Sequence, residues 1–433
     1  MKKYDQISFP QGFFWGATTA SYQVEGDNHN DWSEWEKSEE RMSDLRARGL
    51  IEKYGLENFI SGQASDHYVR FQEDFKIAKE LGHNATRISI EWSRIEPEEG
   101  KFNGEEIEHY KKVVAILREL GIEPFVTLWH YTLPVWFSRK GGFKNENSPE
   151  IFARYCAYVV EKLGDRVRFW VTINEPELYA DDSYLGGVHP PQEKSRMSQL
   201  LVIYNLIRAH CKAYEVIKEL SRNAKVGIAK NNQYFEAYQN KWANRLRKRF
   251  KDWWWNFYFL NQINDYQDFI GLNHYFYHRI NCGFNENRTQ KVSDMGWELY
   301  PEAIYHVLMD LTRYHKPIYI LENGLADAKD EKRAWFIYET LKNIHKAINE
   351  GVDVKGYLHW SLLDNFEWRE GFWPKFGLLE IDRETFERKI RPSANFYRDV
   401  CIANGITEGI VDAHQSLIAP EFSNTSTQQR EEG

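Results

Sequence analysis

Eight short β-type runs alternate with helical stretches along this chain, and that alternation restricts the fold more than any other feature. The runs fall at residues 13–18, 85–91, 124–129, 169–173, 225–229, 269–273, 318–321 and 356–360. Several are apolar almost throughout, Pro124-Phe-Val-Thr-Leu-Trp129 and Pro317-Ile-Tyr-Ile-Leu321 among them, as strands covered on both faces of a parallel sheet are. Between them, residues 107–120 place Ile107, Tyr110, Val113, Val114, Leu117 and Leu120 on one helical stripe, which Gly121 ends. Residues 150–163, 199–220 and 334–349 read the same way. Eight strands alternating with helices are the count for an α/β fold of the (β/α)8 TIM-barrel type. A doubly wound sheet would want a Gly-rich phosphate turn after its first strand, and no G-x-G-x-x-G follows any of these runs.

No low-complexity linker divides the 433 residues, and the 13 Pro and 27 Gly are spread, so one barrel domain is expected over residues 1–410. Residues 411–433 are expected to form a polar, disordered tail. The 56 basic and 64 acidic residues give a net charge of −8, which argues against a nucleic-acid or anionic-membrane partner for the chain as a whole. No apolar run approaches the ~18 residues of a membrane span. The opening Met1-Lys2-Lys3-Tyr4-Asp5-Gln6 leads into no apolar stretch, so a secretory leader is not expected. Cys156, Cys211, Cys282 and Cys401 lack any C-x-x-C spacing. That pattern predicts reduced thiols in a cytoplasmic protein and no metal site. The oligomeric state is not legible.

A barrel carries its chemistry at the C-terminal ends of its strands. Here those ends read Gln23-Val-Glu-Gly26, Trp129-His130, Asn174-Glu175, Asn273-His274-Tyr275, Glu322-Asn323 and Trp360, the last followed by Asp364-Asn-Phe-Glu-Trp368. Glu175 and Glu322 each follow a buried-type strand, the fourth and the seventh, which face each other across a barrel mouth. Two carboxyls across a cleft are the machinery of glycoside hydrolysis: one gives a proton to the leaving oxygen, the other attacks the anomeric carbon. Taken singly, either glutamate reads as a loop cap; in matched contexts the pair reads as catalytic. The aromatic excess, 67 rings, agrees, since flat rings pack on the C–H faces of sugars. Core packing is the role expected of most of them, with Trp129, Trp360 and Trp368 at or just past strand ends as the exceptions.

The motifs together resemble glycoside hydrolase family 1, the β-glucosidase family. Phe13-Phe-Trp-Gly-Ala-Thr-Thr-Ala-Ser-Tyr-Gln-Val-Glu-Gly26 is similar to its N-terminal signature. Arg87-Ile-Ser-Ile-Glu-Trp-Ser-Arg-Ile95, Trp129-His-Tyr-Thr-Leu-Pro134, Thr172-Ile-Asn-Glu-Pro176, Leu321-Glu-Asn-Gly324, Trp360-Ser-Leu-Leu-Asp-Asn-Phe-Glu-Trp368 and Phe376-Gly-Leu378 follow in the family's order. The resemblance spans residues 9–399 and implies a retaining, exo-acting β-glycosidase with no cofactor. By that resemblance Glu175 is the general acid/base, Glu322 the nucleophile, and Arg87 and Tyr275 the nucleophile's contacts. Asn174 holds the sugar 2-hydroxyl, Asn273 neighbours the acid/base, and Gln23, His130, Glu367 and Trp368 bind the terminal sugar over a Trp360 floor. Arg87 is expected to favour the ionised Glu322, Glu175 to hold the proton, and the carboxyls to stand roughly 5–5.5 Å apart. Glu367-Trp368 stands where the phospho-glycosidase branch has a Ser, so an unphosphorylated β-linked glycoside is the expected substrate. A transglycosylase and a catalytically weak sugar-binding barrel are the alternatives.

The chain departs from the family by being short around strands five and six. In place of a long loop it has residues 240–260, which carry Arg245, Arg247, Lys248, Arg249 and Lys251 ahead of Trp253-Trp254-Trp255. The expected consequence is a thinner or more open wall. The plain reading packs the three indoles on the barrel and leaves the basic residues as a solvated helix face; a membrane-surface helix and a flat cofactor pocket are the other two readings.

Overall fold

The computed structural model describes residues 6–282, 284–285 and 291–419. Its centre is a closed barrel of eight parallel strands: β1 (Phe14–Thr18), β2 (Ala85–Ser89), β3 (Glu123–Trp129), β4 (Phe169–Asn174), β5 (Lys225–Asn231), β6 (Phe269–Asn273), β7 (Ile318–Glu322) and β8 (Val354–Trp360). Each strand pairs with its neighbour in sequence, and β8 pairs with β1 to close the ring, Trp360 opposite Thr18. All eight expected strands are present, with ends moved by at most two residues.

Helices α1 (His67–Glu80), α2 (Gly104–Glu119), α3 (Ser148–Leu163), α4 (Arg196–Leu220), α5 (Trp242–Lys251), α6 (Ala303–Leu311), α7 (Arg333–Asn349) and α8 (Pro392–Ala403) follow the strands in turn. Their ends obey local chemistry. Asn103 caps α2 by accepting from the backbone N–H of Glu105 at 2.9 Å, with Glu105 and Glu106 in the first turn, where helix-end charge favours acids. Pro149 opens α3, and Ser195 caps α4. The apolar stripe read for α2 faces inward, with Ile107, Tyr110, Val113, Val114 and Leu117 buried.

Inside the barrel, the N-terminal halves of the strands contribute Phe14, Phe125, Phe169, Phe269 and Tyr319. Phe125 and Phe169 stack at 4.3 Å, and Tyr319 meets Phe125, Phe169 and Phe269 at 5.2–5.4 Å. These rings plug the lower barrel with apolar surface, so polar side chains find room only at the upper end.

Two strands break step just below that upper end. Pairing of β4 with β5 shifts between Val171 and Asn174, and pairing of β7 with β6 shifts between Ile320 and Glu322. Tyr319 and Leu321 both belong to the interior cluster, so strict alternation would send Glu322 outward into the helix layer. The irregularity re-aims it inward, as bulges beside active sites do.

Two expectations need correction. Residues 411–419, placed in a disordered tail, lie in the short helices Glu408–Ala413 and Gln415–Ile418, and Val411 and Ile418 are buried. Leu417 packs beside them, and the segment is held because Thr407 caps the first helix, His414 bonds Asp399 at 2.8 Å, and Gly405–Ile406 pairs with Ile7–Ser8. Residues 420–433 of that expected tail lie outside the described residues. The second concerns the wall outside β5 and β6. It is closed: after α5, a π-helical turn (Asp252–Phe257) and the helix Tyr258–Ile263 bury Phe257, Phe259, Leu260 and Ile263 against the barrel. The four cysteines are free. Among the described residues no helix is long and apolar enough to cross a membrane, and no cluster of His, Cys, Asp and Glu could hold a metal ion.

Candidate active site

The upper mouth of the barrel opens into a cavity of about 400 Å³. Nine of the residues singled out in the sequence line it: Gln23, His130, Asn174, Glu175, Tyr275, Glu322, Trp360, Glu367 and Trp368. The other two, Arg87 and Asn273, are fully buried directly behind the lining. A second cavity, of about 470 Å³, lies at the N-terminal ends of β7 and β8 and is lined by residues such as Asp310, Arg313 and Asp353. It receives neither carboxyl.

One hydrogen-bonded chain runs from one carboxyl to the other. Arg87 donates to Glu322 Oε1 with one terminal nitrogen, to Asn174 Oδ1 at 2.8 Å with the second, and to Thr127 Oγ1 at 2.8 Å through Nε. Asn273 Nδ2 donates to Asn174 Oδ1 at 3.1 Å and to Glu175 Oε1 at 2.8 Å. Strand register sets this chain, because Glu322 of β7 is opposite Asn273 of β6, which is opposite Asn231 of β5.

Each carboxyl has its own donors. Tyr275 gives Glu322 Oε2 its hydroxyl at 2.9 Å. Tyr131 donates to Glu175 Oε2, and Asn231 to Glu175 Oε1 at 3.1 Å. Tyr131 and Asn231 are site residues that sequence reasoning passed over. Asn231 lies two residues past the apolar run that marked its strand, and Tyr131 was read only as part of a motif. The recurrence of polar residues right after apolar runs was the signal for both.

The electrostatics depart from expectation in one respect. The Arg87 cation does pull Glu322 down, but burial outweighs it, the Glu175 charge adds to burial, and Glu322 is raised to about 7. Glu367 is raised further, to about 8, by burial and then by the charges of Glu322 and Glu175. His130 is held well below the usual histidine range by burial and by Arg87, so its imidazole is neutral. Its tautomer follows from the network. Asn174 Oδ1 accepts twice, so its Nδ2 donates to His130 Nε2 at 3.2 Å, leaving the His130 proton on Nδ1.

Among the eleven site residues singled out in the sequence, three buried polar atoms keep an open valence: Gln23 Oε1, His130 Nδ1 and Asn273 Oδ1. Gln23 is otherwise fixed, donating to Asn365 Oδ1 at 3.0 Å and to the Phe366 carbonyl at 2.9 Å. Unpaired buried acceptors and donors beside a cavity are the complement of a polyhydroxylated guest. Trp360 and Trp368 supply aromatic lining, with Trp368 stacked against His130 at 5.7 Å and Tyr22 at 5.9 Å. Trp129 does not join them. Its indole turns outward onto Phe143 and Tyr179 and bonds the Thr132 carbonyl at 2.9 Å.

Local backbone is strained where it serves the cavity. Tyr131, Glu175 and Trp368 adopt φ of 73°, 43° and 49°, left-handed values that side chains other than glycine seldom take. Gly324, after Glu322-Asn323, answers a tight approach: a Cβ there would stand 1.9 Å from the Trp360 carbonyl oxygen. Asp364, part of the β8 motif, is scaffolding, taking both arms of Arg391 at 2.9 Å.

Comparison with known proteins gives one consistent answer. The sequence model described as Glycosyl hydrolase family 1 matches residues 5–270 and 260–406. Beta-glucosidase A of Thermotoga maritima is 35% identical over 454 positions, covering 92% of this chain and 99% of its own. A 1,4-beta-D-glucan glucohydrolase of Thermotoga neapolitana is 34% identical with the same coverage, and a beta-galactosidase of Sulfolobus acidocaldarius is 30% identical over 96% of this chain and 99% of its own. Among solved structures, the beta-glucosidase from Thermotoga maritima in complex with glucoimidazole superposes with a TM-score of 0.86 at 32% identity, over 92% of this chain and 100% of that one. The alignments are longer than this chain, which is somewhat shorter than its relatives.

Proposed function

The chain belongs to glycosyl hydrolase family 1 and is a glycoside hydrolase, and from that premise we propose that it removes terminal β-linked glucose from unphosphorylated glycosides with retention of configuration. Glu322 is the nucleophile and Glu175 the general acid/base. The observation that carries the assignment is the different company of the two carboxyls. Glu322 alone touches a guanidinium, fully buried Arg87, whereas Glu175 meets only the neutral donors Tyr131, Asn231 and Asn273.

Retaining hydrolysis needs one of the two carboxyls to carry the proton and the other the negative charge. The cation favours leaving the negative charge on Glu322, so the proton goes to Glu175. In the first step Glu175 gives that proton to the glycosidic oxygen, the C1–O bond breaks, and Glu322 forms an ester bond to C1. Glu322 is now neutral and Glu175 anionic. In the second step Glu175 takes a proton from water, the water oxygen bonds C1, and the ester breaks to restore the Glu322 carboxylate.

The glycone is held by the open valences of the cavity, with Gln23 Oε1 accepting from, and His130 Nδ1 donating to, sugar hydroxyls. Asn174 reaches the 2-hydroxyl, whose bonds strengthen as C1 gains cationic character. Trp360 stacks under the ring, and Glu367 and Trp368 close the far side.

Aryl β-glycosides with good and poor leaving groups, assayed with wild type, Glu175→Gln and Glu322→Gln, test the roles. Glu175→Gln should still release good leaving groups in a first burst, and Glu322→Gln should be inactive on all. Equal residual activity in both variants would refute the assignment.

A further inference from the structure

Helix α5 presents an apolar stripe that no other part of the described chain covers. Trp242 is 74% exposed, Leu246 61%, Phe250 58% and Trp253, just past the helix end, 46%. At about 100° per residue the four fall within an arc of roughly 80°, a single face. The opposite face is fixed to the protein. Buried Asn244 donates to the Tyr238 carbonyl and accepts from the Cys282 N–H, both at 3.0 Å, and Lys248 pairs with Asp252 at 2.6 Å. The helix is therefore held with its apolar side outward, and the expectation that its aromatic run packs on the barrel is met by Trp254, which stacks on Tyr258 and joins the core, whereas Trp253 meets Tyr258 only edge-on and stays exposed.

Cations frame the stripe. Arg245 and Arg249 project to one side of it and Arg247 to the other, all exposed, and among the described residues none has a carboxylate within ion-pair reach; Lys251 belongs to the attached face, its ammonium over the Phe235 ring at 5.7 Å. The segment from Lys241 to Lys251 carries six basic residues and no acid, in a chain whose net charge is −8. A second copy seated face to face on the stripe would bring two such basic segments together. The partner that matches a flat apolar band flanked by three arginines without acid partners is a bilayer surface with anionic headgroups, where large apolar side chains sit at the acyl boundary and basic ones among the phosphates.

We propose that α5 is a membrane-surface helix, seating this barrel on anionic lipid through Trp242, Leu246, Phe250 and Trp253 with Arg245, Arg247 and Arg249 at the headgroups. None of these residues lines the cavity, so the docking does not depend on which glycoside the cavity takes.

Flotation of the full chain with lipid vesicles tests this. Wild type should float with vesicles of phosphatidylcholine and phosphatidylserine, less so as salt is raised, and stay behind with phosphatidylcholine alone. Phe250→Glu should lower the partition roughly tenfold or more, the value of one large apolar side chain. Arg245→Gln with Arg249→Gln should do the same through charge. Both should hydrolyse a soluble aryl glycoside at the wild-type rate, which shows them folded. Absence of flotation by wild type, equal flotation on both vesicle kinds, or flotation unaffected by Phe250→Glu would overturn the proposal. So would a wild-type dimer in sedimentation analysis that Phe250→Glu turns into a monomer, since the stripe would then be covered by a second copy.

Discussion

Arg87 is committed to Glu322 from a position solvent does not reach, and its remaining nitrogens are tied to Asn174 and Thr127 at 2.8 Å. The cation thus has no freedom to leave. Removing it strands a buried carboxyl. Arg87→Met should cost about 3–5 kcal/mol of stability in chemical denaturation. It should also lower kcat/KM by roughly a hundredfold or more, as loss of a preorganised donor does. Arg87→Lys should rescue part of the stability and little of the rate, because a single ammonium cannot reach all three acceptors.

Tyr275 holds Glu322 from the other oxygen at 2.9 Å, and a hydroxyl donated to a carboxylate favours its charged form. As the proposed nucleophile Glu322 must be ionised to attack, and it already lies at about 7. Tyr275→Phe should therefore move the acid limb of the kcat/KM profile upward, by about one unit for a bond worth about 1 kcal/mol. A pH–rate profile with an unmoved acid limb would separate Tyr275 from Glu322 in function.

Glu367, held at about 8, makes stability depend on pH. Below its ordinary value of 4.5 the carboxyl is protonated in both folded and unfolded chains. As pH rises from there the unfolded chain ionises while the folded chain keeps its proton, so stability falls until about 8 and then levels. Glu367→Gln has no proton to lose. Its stability relative to wild type should rise between pH 5 and pH 9 by an amount on the order of 4 kcal/mol, read from denaturation midpoints at the two pH values.

Lys230 and Glu177 form a buried ion pair at 3.2 Å behind Glu175, with Lys230 also donating to the Trp255 and Asn231 carbonyls at 2.6 and 2.9 Å. Lys230→Met should cost about 3–5 kcal/mol near pH 8, and Lys230→Met with Glu177→Leu should recover most of it. Additive losses in that cycle would show that the two side chains do not sense each other.

Gly324 leaves no room for a methyl group beside the Trp360 carbonyl. Gly324→Ala should displace the end of β8, cost about 1–3 kcal/mol and raise KM for aryl glycosides more than it lowers kcat, since Trp360 is the proposed sugar floor.

Much of this was readable from residue order because the physics is local. Strands covered on both faces must be apolar, so they stand out, and polar residues just past them stand out by contrast. Asn231 was lost because Lys230, an interior cation paired with Glu177, interrupts the apolar run and made the strand look finished at Ala229. Trp129 was misplaced because its side-chain direction depends on where the strand ends, which composition does not encode. The value of about 7 at Glu322 was hidden for a different reason: desolvation depends on every neighbour at once, whereas the Arg87 charge can be inferred from one motif. The basic residues of helix α5 read as a solvated helix face, but the apolar side carrying Trp242, Leu246 and Phe250 was missed, and only the attachment through Asn244 shows that it faces out.

The pairing shifts ahead of Asn174 and Glu322 have a consequence for what this architecture tolerates. The distance between the two carboxyls is anchored in hydrogen-bond phase within the sheet, upstream of any connecting segment. Insertions and trims outside the strands can therefore remodel the rim, and with it the choice of leaving group, while the bond-breaking centre stays put. A chain somewhat shorter than its relatives can keep the same chemistry for that reason, whereas one residue gained or lost inside β7 would turn Glu322 away from the sugar.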